Sequence, residues 1–166
     1  MKVYFVRHAT ASNKSGWTQD DDLRPLTRAG RKRFCSAATA MIGVGALHPD
    51  LIVTSPLVRA RQTADLLAQA LADKTPIVED PRLGHQFDCV RFSAILAENA
   101  EVRALAIVGH NPSFAGVLSV VTGGLDVDVR KGSVALIEID DITDPVGRLM
   151  WLAPPSLFAL TADDDS

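Results

Sequence analysis

Short continuous apolar runs alternate along this chain with longer stretches in which apolar residues recur every three or four positions. Val3 to Val6, Leu51 to Thr54 and Ala104 to Val108 are rich in β-branched residues or wholly apolar and are bounded by charge, glycine or proline. They read as short buried strands. Between them the period changes. Thr27 is placed to cap a helix whose face is Phe34, Ala37, Ala38, Met41 and Ile42, ended by Gly43 and Gly45. A second helix follows Ser55-Pro56 and carries Arg59, Thr63, Leu66 and Ala70 on one flank, with Arg61 and Asp65 spaced to pair on another. Phe92, Ile95 and Leu96 mark a shorter helix, and Phe114, Val117, Leu118 and Val121 mark another that breaks at Gly123-Gly124. Pro76 to Val78 suggests a small strand, while Val134–Ile139 and Leu149–Leu152 suggest an antiparallel hairpin joined by an acidic turn. Strand and helix alternate, which predicts an α/β fold with parallel neighbours.

In such folds ligands gather at the carboxyl ends of the strands, where loops converge without disturbing the core. Three strand ends here carry chemistry. The first runs into Arg7-His8-Ala9, the second into Ser55-Pro56-Leu57-Val58-Arg59-Ala60-Arg61, and the third into Gly109-His110-Asn111-Pro112. Ser55 is a good N-cap and Pro56 suits the first helical position, and Asn111-Pro112 repeats that device. Arg59 borders the packed face near its helix start, whereas Arg61 has Asp65 as a solvated partner, so Arg59 is the arginine expected at the site. The polar segment Ser12 to Asp22 is expected as a surface loop near the mouth. Arg31, Lys32 and Arg33 read as solvated helix surface, with substrate docking as the other reading.

Composition narrows the classes. The 166 residues are 47% hydrophobic with a mean hydropathy of +0.13, enough for one core. A single domain over residues 1–160 is expected, followed by an acidic, frayed tail over 161–166. The net charge of −3 and pI near 5.7 argue against a nucleic-acid partner held by phosphate attraction, and no apolar run is long enough for a membrane span or a secretory leader. Cys35 and Cys89 have no metal-ligand spacing and read as reduced thiols of a cytoplasmic protein.

Two histidines and two arginines at strand ends, with two helix N-termini aimed at the same edge, describe a site for a dianion. Clustered guanidinium groups also disfavour protonation of His8, and a neutral imidazole beside a phosphoryl group is a nucleophile. Arg7-His8-Ala9, Arg24-Pro25-Leu26-Thr27-Arg28-Ala29-Gly30, Ser55 to Ala64 and Gly109-His110-Asn111-Pro112 together resemble the signature blocks of the histidine phosphatase, or phosphoglycerate mutase-like, superfamily. The short length and the Arg-Pro-Leu-Thr and Ser-Pro-Leu blocks are most similar to its small SixA-type phosphohistidine phosphatases.

The resemblance implies a three-layer α/β/α sandwich with a mixed, mostly parallel sheet. It implies that His8 accepts the phosphoryl group, that Arg7 and Arg59 bind phosphate, and that His110 hydrogen-bonds the phosphoryl oxygens. No metal or other cofactor is expected. Two departures stand out. Ala9 replaces the usual glycine, so an ordinary backbone is expected there. The segment that carries a carboxylic acid in many relatives offers only Glu79, Asp80 and His85, with Asp80, His85, Ser55 and Asn111 as residues of the pocket rim or acid candidates. A missing acid favours phosphohistidine, which leaves as neutral imidazole, over a phosphoester, which leaves as an alkoxide.

The partner expected is a phosphorylated substrate, first a phosphohistidine-bearing protein. A phosphatase for small phosphorylated metabolites and a non-catalytic phosphate-binding module are the alternatives. A metal site built on His8, His85 and His110 is disfavoured because the nearby arginines oppose a cation. His48 reads as a structural or surface residue.

Overall fold

The computed structural model of the protein describes residues 1–72 and 74–161, with side chains through Phe158. Residues 162–166, most of the expected acidic tail, lie outside the described residues. Six strands form one sheet: β1 (Lys2–Arg7), β2 (Leu51–Thr54), β3 (Ile77–Glu79), β4 (Ala104–Gly109), β5 (Val134–Ile139) and β6 (Gly147–Ala153). Their order is β3-β2-β4-β1-β5-β6. β1 to β4 pair in parallel, and β5 and β6 add an antiparallel edge beside β1. The hairpin is as expected, with β6 starting earlier, at Gly147, than the apolar run alone indicates.

Each strand turns alternate side chains to opposite faces, and the helices cover both. Tyr4, Val6, Ile52, Ala106 and Val108 face α1 (Arg28–Gly43) and α2 (Val58–Leu71). Val3, Phe5, Leu105 and Ile107 face α3 (Cys89–Glu98) and α4 (Ser113–Val121). This is the three-layer α/β/α arrangement with a mixed, mostly parallel sheet. The expected helix faces are the buried ones on α3 (Phe92, Ile95 and Leu96) and α4 (Phe114, Val117, Leu118 and Val121), and on α1 for Phe34, Ala37, Ala38 and Met41, with Ile42 half-buried. On the expected flank of α2 Arg59 and Thr63 are buried but Leu66 and Ala70 are half-buried, and the packed face also runs through Ala60, Ala64, Leu67 and Leu71. Thr27 caps α1 by accepting from the Gly30 N–H at 2.9 Å.

Two helix starts differ from expectation. α2 begins at Val58 rather than at Pro56, and no side chain caps it. Ser55 accepts from the Leu57 N–H and is also hydrogen-bonded to His110, so its hydroxyl serves the strand end and the site. α4 begins at Ser113, after a cis Asn111–Pro112 peptide, and Asn111 spends its side-chain amide on the Val129 carbonyl instead of capping the helix.

Register aligns the chemistry. Arg7 stands opposite Gly109, and Thr54 opposite Val108, so the residues that follow the three central strands emerge side by side. The backbone continues this alignment, the His8 N–H donating to Gly109 and the Ser55 N–H to Val108. After His8 the chain runs against the start of α1, where the Thr10 carbonyl accepts from both the N–H and the hydroxyl of Thr27. Gly30 permits this approach, since a Cβ there would lie 2.2 Å from that carbonyl oxygen.

Gly30→Ala is therefore expected to destabilise the fold by about 1–3 kcal/mol through backbone displacement, read as a melting temperature lower by several degrees. An unchanged melting temperature would show that the contact between Thr10 and α1 is not constraining.

Candidate active site

The segment after β1 is held from both sides. The Ala9 N–H donates to Thr63 Oγ1 on α2, and that hydroxyl donates to the Arg59 carbonyl one turn earlier. The N–H of Gly132 lies within reach of the carbonyls of Arg7 and His8. Ala9 does not adopt a positive φ, as expected for alanine in the place of glycine. Its carbonyl oxygen lies 2.7 Å from His8 Nδ1. A carbonyl only accepts, so Nδ1 carries the hydrogen and the neutral ring presents its lone pair at Nε2.

The rings of His8 and His110 lie 5.1 Å apart between centroids. Both are at the wall of a cavity of about 340 Å³, together with Arg7, Arg59, Arg24, Lys14, Lys131, Asp21, His85 and Asn111. His8, Arg59 and His110 are at most 9% exposed. Burial pushes the His8 pKa down to about 4 against the helping Ala9 hydrogen bond, with Arg59, Arg7 and Lys131 adding to the depression. Burial likewise pushes His110 down to about 3, reinforced by His8 and Arg59. Both imidazoles are neutral at physiological pH in the absence of an anion.

The cationic side chains are braced by the protein. Arg7 donates to the Val129 carbonyl at 2.6 Å, on the same oxygen that receives the Asn111 amide. Arg59 donates to the backbone carbonyl of Asp21 and pairs with its carboxylate at 3.1 Å. The same carboxylate accepts from Arg24 Nε at 2.9 Å, and this bond holds the Asp21 pKa below the usual range. Among the described residues, five cationic side chains line the cavity against that one carboxylate. Arg7 Nε, Arg59 Nε and His110 Nδ1 are buried polar atoms with no partner among the described residues. Burying such groups unpaired is costly, and their grouping around one cavity marks where an anion with several oxygens would bind.

Ser55 is fully buried, and its Oγ lies 2.9 Å from His110 Nε2. Its proton has no other acceptor among the described residues, so the hydroxyl donates to Nε2 and the His110 hydrogen sits on Nδ1. That leaves an N–H to offer an anion. Ser55 thus lies behind His110 rather than on the rim. Asn111 and His85 do border the cavity, His85 with its Nε2 at 2.7 Å from Asp22 Oδ1.

Asp80 is corrected by the structure. It is absent from the cavity wall, its two carboxylate oxygens accept from Arg82, and that bonding holds its pKa low. A carboxylate so stabilised is no proton donor at neutral pH. Glu79 is drawn off as well, paired with Arg61 at 2.8 Å alongside the expected Arg61–Asp65 pair. The residues that sequence reasoning did not assign to the site are Arg24, Asp21, Lys14 and Lys131. Arg24 had a signal, since it opens the Arg-Pro-Leu-Thr block. The others come from loops without periodicity. Among the described residues no group of His, Cys, Asp and Glu is arranged to hold a metal ion.

Titration of the His8 ring by NMR in ligand-free protein is expected to show a midpoint near 4. The unfolded ring, near 6.5, takes up its proton first as pH falls, so the stability tied to a neutral His8 is complete above 6.5 and is lost towards pH 4. The unfolding free energy is expected to be lower at pH 4.5 than at pH 7, and the drop smaller in His8→Asn. A His8 midpoint near 6.5 would show a solvated ring and contradict this.

Comparison with known proteins bears on the family and the fold. The profile of the histidine phosphatase superfamily (branch 1) matches residues 3–87. An uncharacterized protein of Picosynechococcus sp. is 40% identical over 98% of this chain and 96% of its own length. The protein histidine phosphatase SixA, solved with tungstate, superposes with a TM-score of 0.83 at 22% identity, covering 95% of this chain and 99% of that one. The α-ribazole phosphatase of Shigella flexneri superposes with a TM-score of 0.72 at 20% identity over 93% of this chain and 97% of that one. At such identities the two superpositions speak for the fold. The family match over residues 3–87 carries the assignment further, and the chain belongs to the histidine phosphatase superfamily, branch 1.

Proposed function

We propose that the protein is a metal-independent phosphatase that works through a phosphohistidine on His8, and that its substrate is phosphohistidine on another protein. The observation that carries the first part is the His8 ring, neutral, with Nδ1–H bonded to Ala9 and Nε2 free among buried, unpartnered cationic donors. The Nε2 lone pair attacks phosphorus as the bond to the leaving group breaks, while Arg7, Arg59 and His110 Nδ1–H hold the equatorial oxygens. Water then attacks the phosphoenzyme, the P–Nε2 bond breaks, and inorganic phosphate leaves with His8 restored.

The substrate assignment rests on the carboxylates. Asp80 is tied to Arg82, Glu79 to Arg61, and Asp21 to Arg24 and Arg59, so none is poised to protonate an alkoxide. Phosphohistidine protonated on its far ring nitrogen needs no such donor, because the electron pair returns to a ring that departs neutral. The SixA likeness in fold is consistent with this choice. The two free thiols, Cys35 and Cys89, suit a cytoplasmic setting, and among the described residues no helix is long and apolar enough to cross a membrane.

A second reading has one observation behind it. His85 borders the cavity with its Nε2 against Asp22, and a histidine paired with a carboxylate would supply the proton that a small phosphoester requires.

Turnover of a phosphohistidine peptide, sugar phosphates and p-nitrophenyl phosphate separates the readings. The expected outcome is a preference of about a hundredfold or more in kcat/KM for the peptide over sugar phosphates, unaffected by chelators. His8→Ala is expected to remove at least about a thousandfold, together with an acid-labile, base-stable phosphoenzyme. Robust sugar-phosphate turnover lost in His85→Ala would replace the first reading with the second, and no turnover of any substrate would leave a binding module. Ser55→Ala is expected to lower kcat by about tenfold, the worth of one hydrogen bond, with little change in KM for p-nitrophenyl phosphate. An unchanged kcat would show that Ser55 does not set the His110 tautomer.

A further inference from the structure

A second cavity, of about 560 Å³, adjoins the first, and Arg7 and Lys131 border both. Its other charged lining residues are Arg33 of α1 and Arg130. Among the described residues, every charged residue that lines it is basic, in a chain whose net charge is −3. Pro154, Pro155 and Ser156 close it on the remaining side. Arg33, Arg130 and Lys131 are exposed, and among the described residues their one ion pair, Arg130 to Asp128, is solvated on both sides and so worth little.

We propose that this groove docks an acidic stretch of the protein substrate that flanks its phosphohistidine. The proposal rests on the protein-phosphohistidine reading and gives that substrate a required chemistry. The shared border places the groove where the chain bearing the phosphoryl group would continue after leaving the His8 cavity. A single further phosphate would call for buried, converging donors such as those around His8, and apart from Arg7 the groove shows none among the described residues. Exposed cations spread over separate chain segments instead suit several carboxylates along a peptide, each contributing weakly and together steering association.

The test uses two phosphohistidine peptides that differ only in flanking Asp and Glu replaced by Asn and Gln, with wild type and Arg33→Glu/Arg130→Glu. Neither substituted residue lines the His8 cavity, so p-nitrophenyl phosphate turnover is expected to be unchanged and also reports correct folding. Wild type is expected to favour the acidic peptide by about tenfold in kcat/KM, through KM, with the preference shrinking at high salt and disappearing in the variant. Equal use of both peptides by wild type, or a preference that survives in the variant, would overturn the proposal.

Binding is read separately, as competitive inhibition of p-nitrophenyl phosphate hydrolysis by the unphosphorylated acidic peptide. Inhibition that depends on Arg33 and Arg130 without any phosphohistidine turnover would sink the substrate reading and keep the acidic dock. Stronger inhibition by a small bisphosphate than by the peptide, lost in the same variant, would make the groove a second phosphate subsite and refute a protein dock.

Discussion

One hydrogen bond, from His8 Nδ1 to the carbonyl of the next residue, decides which nitrogen of the ring can act. It spans 2.7 Å and is buried, and its acceptor is itself fixed, because the Ala9 N–H is held by Thr63 of α2. Without it the neutral ring would be free to place its hydrogen on either nitrogen, and one of the two tautomers would present a donor, not a lone pair, to the incoming phosphorus. The bond by itself makes the ring more basic. Burial and three neighbouring cations lower its pKa by more than the carbonyl raises it. The same surroundings that keep the ring uncharged also attract the dianion it would attack.

The sheet supplies the rest of the geometry. Parallel pairing of β1, β4 and β2 in the observed register puts His8, His110 and Ser55 at adjacent strand ends. The buried hydroxyl of Ser55 then orients His110 from behind. Asp21 has a different part. Its carboxylate bridges Arg24 and Arg59 and partly balances a cavity wall otherwise crowded with like charge. A cluster of guanidinium groups repels itself unless something anionic stands among them, and in the unliganded protein that group is Asp21.

Much of this was legible in the chain. Strand and helix positions followed from apolar period, since the residues on the expected faces of α3 and α4, and all but Ile42 on that of α1, are buried. On α2, by contrast, the packed face lies one step round from Leu66 and Ala70, at Ala60, Ala64 and Leu67. Arg7, His8, Arg59 and His110 announced themselves by following strands or opening helices. What could not be read was which polar groups would be diverted. Ser55 and Asn111 look like helix caps locally, yet tertiary contacts claim both side chains, for His110 and for Val129. Asp80 looked available as an acid until Arg82, two residues on, closed over it. Asp21, Lys14 and Lys131 lie in aperiodic loops, and nothing in their spacing tells which way such a loop folds back.

In the proposed mechanism His8 acts through Nε2, with Nδ1 committed to the Ala9 carbonyl. The most direct test is the position of phosphorus on the trapped phosphoenzyme, read by correlated phosphorus and nitrogen NMR on protein labelled at the histidine ring. Phosphorus bonded to Nε2 of His8 is the predicted result. Phosphorus on Nδ1, or on any residue other than His8, would contradict it.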